Sequence, residues 1–91
     1  MDTNETTSEN GAEARIEELI HFVVTSLVDD PGNVSIKVSS EDNNMRVLIH
    51  ADSDDVGKII GRGGRTIKSI RTLARASVGT PSLHVDIDVE G

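Results

Sequence analysis

Apolar and polar residues alternate along this chain with two different periods, and the periods divide it into elements. From Ala12 to Val28, Ile16, Leu19, Ile20, Val23 and Leu27 recur at three- and four-residue spacing, the pattern of an amphipathic helix with one face in a core. Asp29, Asp30, Pro31 and Gly32 stop that helix. Val34, Ile36 and Val38 then alternate with Ser35, Lys37 and Ser39, which predicts a strand with one buried face. Beyond a polar turn from Glu41 to Asn44, Met45, Val47 and Ile49 alternate with Arg46, Leu48 and His50, a second strand that closes a hairpin.

Helical spacing returns after Ala51. Ser53 is read as the N-cap of a short helix led by Asp54 and Asp55, with Val56, Ile59 and Ile60 on one face. Gly61-Arg62-Gly63-Gly64 breaks it. A further helix from Arg65 to Ser77 is expected to bury Ile67, Ile70, Leu73 and Ala74 and to carry Lys68, Arg71 and Arg75 on another face, before Gly79, Thr80 and Pro81 end it. Leu83, Val85, Ile87 and Val89 alternate with His84, Asp86 and Asp88 in a last strand. The order α-β-β-α-α-β predicts an α+β fold, a three-stranded sheet with helices packed on one face. Met1 to Gly11 has no apolar residue after the initiator and reads as a disordered acidic tail, leaving residues 12–91 as a single domain.

Composition narrows the function. Ninety-one residues suffice for one small domain, which buries only about 60 to 65 per cent of its unfolded surface. Phe22 is the one aromatic residue, so the core is aliphatic. Without cysteine there is no disulfide framework, no thiolate metal site and no thiol redox chemistry. The N-terminal segment lacks the basic-then-apolar order of a secretory signal, and no run approaches membrane-spanning length, so a cytoplasmic protein without a membrane partner is expected. The glycosylation-like triplets at Asn4 and Asn33 are therefore read as accidental. A net charge of -7 argues by itself against a nucleic-acid partner. The average hides a division, however: Val56 to Val78 holds six cations (Lys58, Arg62, Arg65, Lys68, Arg71, Arg75) and no acid. One basic surface stands on an acidic body.

The glycines sit within that basic stretch. A glycine-rich turn before a helix suits phosphate because the backbone can come close and the helix offers unpaired N–H groups at its positive end. The nucleotide-binding P-loop pattern fails here, since Gly64-Arg65-Thr66 has Arg for Lys and Ile59 stands where the first glycine belongs. The dinucleotide fingerprint fails as well: Gly61 and Gly63 match, Thr66 does not, and the preceding segment is helical. A G-x-x-G turn between two helices remains, entered by "KIIG" and left by "GRTIKSI".

With its surrounding element order, that turn resembles the KH domain in its type II arrangement, over nearly all of Ile16 to Val89. "SLVDDPGNVSIKV" and "DVGKIIGRGGRTIKSIRTL" are closer still to the KhpA (YlqC) family of small bacterial single-domain KH proteins. The resemblance implies that Gly61 and Gly64 shape a loop clamping about four unpaired nucleotides of RNA, and that Arg62 and Gly63 are the variable pair meeting phosphate. Gly57 permits close approach, Val56, Ile59, Ile60 and Ile67 divide between core and groove wall, Arg65 and Lys68 flank the loop as phosphate partners, and Lys58 and Thr66 count with them among the RNA-binding residues. Gly63 departs from the polar residue common at that place and leaves Arg62 as the loop's one cation. The resemblance further implies a homodimer, a heteromer with the multidomain KH protein KhpB (Jag, EloR), and an RNA chaperone or regulatory role linked to cell elongation and division.

The residues exclude other chemistries. RRM and OB modules stack bases on aromatic rings, which one Phe cannot supply. His21, His50 and His84 lie far apart on three elements with no ligand spacing, so no metal site or other cofactor is expected. Asp52, Asp54 and Asp55 read as helix capping, and Asp86 and Asp88 as a solvated strand face. No nucleophile-base set is present, so no catalytic residue is named and no enzyme is expected. Two alternatives stay open: a dimerisation or interaction module with little RNA binding of its own, and a nucleotide-binding enzyme, which requires tight ATP or GTP binding.

Overall fold

The two alternating central segments build a hairpin, β1 (Ser35–Glu41) against β2 (Asn44–His50), antiparallel with Ile36 opposite Ile49 and Val38 opposite Val47. Asp42 takes a φ of 55° in the connecting turn, a conformation that the short polar side chain of Asp tolerates. The last strand, β3 (His84–Glu90), pairs with β2 in parallel, setting Val85 beside Met45, Ile87 beside Val47 and Val89 beside Ile49. Parallel neighbours require a crossover, and here it is formed by α2 (Val56–Ile60) and α3 (Arg65–Val78). With α1 (Thr3–Leu27) the order is α1-β1-β2-α2-α3-β3, in a sheet ordered β1-β2-β3. This computed structural model describes residues 3–78 and 83–91, with side chains described from residue 11 onward.

The predicted α+β order is the observed one. One sheet face carries Met45, Val47, Ile49, Val85 and Ile87 into an aliphatic core completed by Ile16, Ile20 and Val24 of α1, Ile59 of α2, and Ile70 and Ala74 of α3. The other face, with Lys37, Arg46, His50, Asp86 and Asp88, is exposed. Among the described residues no helix is long and apolar enough to cross a membrane.

Three expectations shift. The helix begins at Thr3, so it runs back through most of the segment read as a tail. Thr, Asn and Gly are weak helix formers, which is why the pattern gave no sign of it; elongation from an established helix is easier than nucleation. The buried stripe of α1 is Ile16, Ile20 and Val24, continued by Val28, and Leu27 is left partly exposed. Four-residue steps drift by about 40° around a helix, which turns the core side away from Leu27 by the helix end. In α3, Ile70 and Ala74 are buried as expected, but Leu73 stands about 100° around from its neighbour Ala74 and is exposed. The predicted stop at Gly79, Thr80 and Pro81 lies outside the described residues.

Candidate nucleic-acid interface

α2 ends because Gly61 leaves the helix at φ 77°, ψ 168°, with its N–H still donating to the Gly57 carbonyl at 2.8 Å. The loop then closes in one tight turn. Gly64 N–H donates to Gly61 O at 3.0 Å, the N–H of Arg65 bonds back to Arg62 O, and α3 starts at once. Gly61, Gly63 and Gly64 all have φ between 64° and 77°, a region that glycine enters without the penalty a β-carbon brings. At Gly61 space is short as well: a β-carbon there would run into Thr66 Oγ1 and stand 2.9 Å from the Thr66 backbone nitrogen. At Gly63 the opposite holds, since nothing lies within 4 Å of where a β-carbon would be. The loop is thus locked on its inner side and open on its outer side.

The start of α3 adds charge to that opening. The first-turn N–H groups and positive end of a 14-residue helix meet the loop, and the exposed Arg62, Arg65 and Lys68 surround it. Among the described residues none of these three cations has an ion-pair partner. Arg75 continues the basic face, with Arg71 half-buried beside it. Beyond Lys68 the outer surface of α3 has a shallow hollow of about 410 Å³ lined by Lys68, Ser69, Thr72 and Leu73.

The apolar residues around the loop separate. Ile59 is fully buried and supports α2 from the core, whereas Ile60, 38 % exposed, and the half-buried Val56 and Ile67 reach the surface. Thr66 is half-buried under Gly61, and Gly57 is exposed with open space before it.

Lys58 differs from the other cations. Its Nζ lies 2.8 Å from Asp29 Oδ2 and 3.2 Å from Asp55 Oδ1. Asp55, 2 % exposed, also accepts hydrogen bonds from the backbone N–H groups of Asp29 at 3.2 Å and Asp30 at 3.1 Å. Burial pushes the Asp55 carboxyl up, but these backbone bonds and the bond and charge of Lys58 outweigh it and hold it below the ordinary 3.8. The bonds to Asp29 and then to Asp55 hold the Lys58 ammonium above 10.5, against the opposing effect of burial. Asp55 is therefore not the capping residue that its place before α2 implied: it makes no side-chain cap bond to α2 and reaches back to the turn after α1. The signal in the sequence was its three-residue spacing from Lys58.

Elsewhere, a hollow of about 400 Å³ on the helix-free face is lined by Ser39, Ser40, Glu41, Asn44, Arg46 and Asp86. Its mixed charges do not suit a phosphate chain. Among the described residues no group of three His, Cys, Asp or Glu is placed to hold a metal ion.

Comparison with known proteins agrees with this geometry. The family model described as KhpA/KhpB, KH domain matches residues 17–89. The RNA-binding protein KhpA of Treponema pallidum is 41% identical over 73 residues, covering 80% of this chain and 91% of that protein. Its namesake in Oceanobacillus iheyensis is 39% identical over 71 residues (76% and 95%), and that of Mycobacterium tuberculosis 35% over 74 residues (81% and 91%). The family is one of KH domains and not of enzymes, and with a match spanning both strands of the hairpin, the glycine loop and the last strand, the chain belongs to the KhpA/KhpB KH-domain family.

Proposed function

We propose that this chain binds single-stranded RNA through the Gly61–Gly64 loop and the cationic start of α3. The observation that carries the reading is the loop itself, open at Gly63 and ringed by Arg62, Arg65 and Lys68, which have no ion-pair partner among the described residues. Phosphates of about four nucleotides pass over the loop, and the bases lie toward Ile60, Val56 and Ile67. Gly57 keeps the approach clear, while Ile59 and Thr66 support the loop from beneath. The name RNA-binding protein, carried by the relatives, supports the same conclusion.

In the cell the reading extends to a cytoplasmic RNA chaperone or post-transcriptional regulator linked to elongation and division. It acts as a homodimer or with a KhpB-type multidomain protein. A second reading, an interaction module with little RNA binding of its own, draws on Phe22, 70 % exposed on α1.

Binding of a single-stranded oligoribonucleotide, compared with a duplex of equal length across a salt series, tests the proposal. Preference for the single strand is expected, with a log-log salt slope of roughly -2 to -3.5 from three to five phosphate contacts. Equal duplex binding overturns the single-strand reading, and a flat salt response overturns it in favour of the interaction module.

A further inference from the structure

We infer, building on the RNA-binding reading, that Asp55 and Lys58 are positioning residues for the glycine loop: with Asp29 they clasp α2 to the turn after α1, and Lys58 serves that clasp instead of meeting phosphate. α2 has five residues, about one and a half turns, too few to hold a direction by its own hydrogen bonds. Its far end is the near end of the loop, so any tilt of α2 moves Gly61 and the cations beyond it. Ile59 is the one fully buried side chain of α2, with Val56 half-buried at its start, so few apolar contacts fix the direction of this short helix. A second fixed point is required, and Asp55 provides it at the other end of α2.

The bonds at that point are of the strong kind. The buried Asp55 carboxylate accepts from two successive backbone N–H groups of the α1–β1 turn, and Lys58 ties the same carboxylate to Asp29. The bonds to Asp55, whose carboxylate is buried, are charge-assisted and shielded and hold direction better than the exposed Lys58–Asp29 arm. The clasp spans 26 residues of sequence between Asp29 and Asp55, so it joins the loop-bearing crossover to the first helix directly.

The same geometry removes Lys58 from phosphate binding. Its ammonium sits between two carboxylates, so the three groups together carry a net negative charge, and a phosphate approaching Lys58 meets repulsion. Among the described residues Arg62, Arg65 and Lys68 have no such neighbours. Electrostatics and positioning therefore predict opposite signs for one substitution. Asp55→Asn removes a negative charge near the RNA surface, which by charge alone raises affinity, whereas loss of the clasp lowers it.

Amide hydrogen exchange of the free protein and RNA affinity across a salt series, measured on the parent, Asp55→Asn and Lys58→Gln, decide between them. Expected for Asp55→Asn is exchange at Gly57 to Gly64 faster by about tenfold than in the parent, with Val47 in the central strand unchanged. RNA affinity falls by several-fold at an unchanged salt slope. Lys58→Gln behaves alike; a slope shallower by about 0.7 in that variant places Lys58 on a phosphate and overturns the inference. Equal acceleration at Val47 and at the loop marks a merely general stabilising role and also overturns it, as does a loop exchanging at the parent rate. If the parent binds no single-stranded RNA, the functional reading falls, and the exchange comparison alone still decides the clasp. Should Asp55→Asn not fold, Lys58→Gln, which removes the ammonium that bridges the Asp55 and Asp29 carboxylates, carries the exchange test in its place, with faster loop exchange over an unchanged Val47 expected and a loop at the parent rate overturning the inference.

Discussion

Gly61 lies so close to Thr66 on the inner side of the loop that a β-carbon at Gly61 would run into Thr66 Oγ1. The contact links the first residue of the turn out of α2 to the first turn of α3 and fixes how the two helices meet. Gly61→Ala must therefore both adopt a φ of 77° and displace Thr66, and a cost of about 1–3 kcal/mol is expected. For a domain of this size that lowers Tm by roughly 4–8 °C per kcal/mol. Adding Thr66→Ala removes the overlap with Oγ1 but not the approach to the Thr66 backbone nitrogen, so the double variant recovers only part of the loss. Full recovery in thermal melts would show that the backbone contact is unimportant.

Removal of residues 1–11 tests where the domain begins. Among the described residues the α1 core contacts start at Ala12, which packs against the buried cluster, and at Ile16, which lies within it. The truncated chain is expected to melt within about 3 °C of the parent, because residues 2–11 carry no apolar side chain, while its far-UV helical signal falls by the share of α1 removed. A drop of many degrees would place part of the folding unit before Ala12.

Period and glycine chemistry made most of the fold legible. The two-residue alternation of Met45, Val47 and Ile49 and of Val85 and Ile87 became buried strand faces, and three glycines in four residues became a turn with positive φ at each. Pairing between distant segments was not legible: nothing in Val85 to Val89 tells whether β3 runs parallel or antiparallel to β2, since alternation is identical in both directions. Asp55 was misread for a related reason. An acid before a helix looks the same whether it caps that helix or accepts from a turn 26 residues earlier, and only the fold brings Asp29 and Asp30 to it. The free cations of the site were visible as residue types, but the pairing of Lys58 was hidden in the same way.

Replacing Arg62 and Gly63 together by Asp separates RNA binding from scaffolding. Two carboxylates then stand where phosphates approach, and RNA affinity is expected to fall by well over about tenfold, since a like charge replaces an attractive contact. Gly63 has a φ of 64° and a ψ of 17°, close to the left-handed region that Asp and Asn enter more readily than other residues, and open space surrounds it. The backbone cost is thus about 1 kcal/mol and the protein stays folded. Gly63→Asn carries that backbone cost without the charge and serves as the control. A folded Asp double variant that binds RNA as tightly as Gly63→Asn would remove the loop from the interface.

The acid limb of stability reports on Asp55. Burial raises its carboxyl pKa, but the bonds from the Asp29 and Asp30 backbone and from Lys58 outweigh burial, so the folded value lies below 3.8. A carboxyl depressed on folding stabilises the fold at every pH above its unfolded value, and that contribution drains away as pH falls below 3.8 toward the folded value. Lys58 is raised above 10.5 by Asp29 and Asp55, so its contribution is complete below 10.5 and is lost only as pH climbs past the folded value. Acidification also protonates the other carboxylates and relieves the repulsion of a chain with net charge -7, which confuses the parent's own curve. The difference in Tm between the parent and Asp55→Asn cancels that background. The difference is expected to be constant from about pH 5 to pH 8 and to close below 3.8. A difference that persists unchanged through the acid range would mean that Asp55 is held in place by shape alone, without its charge.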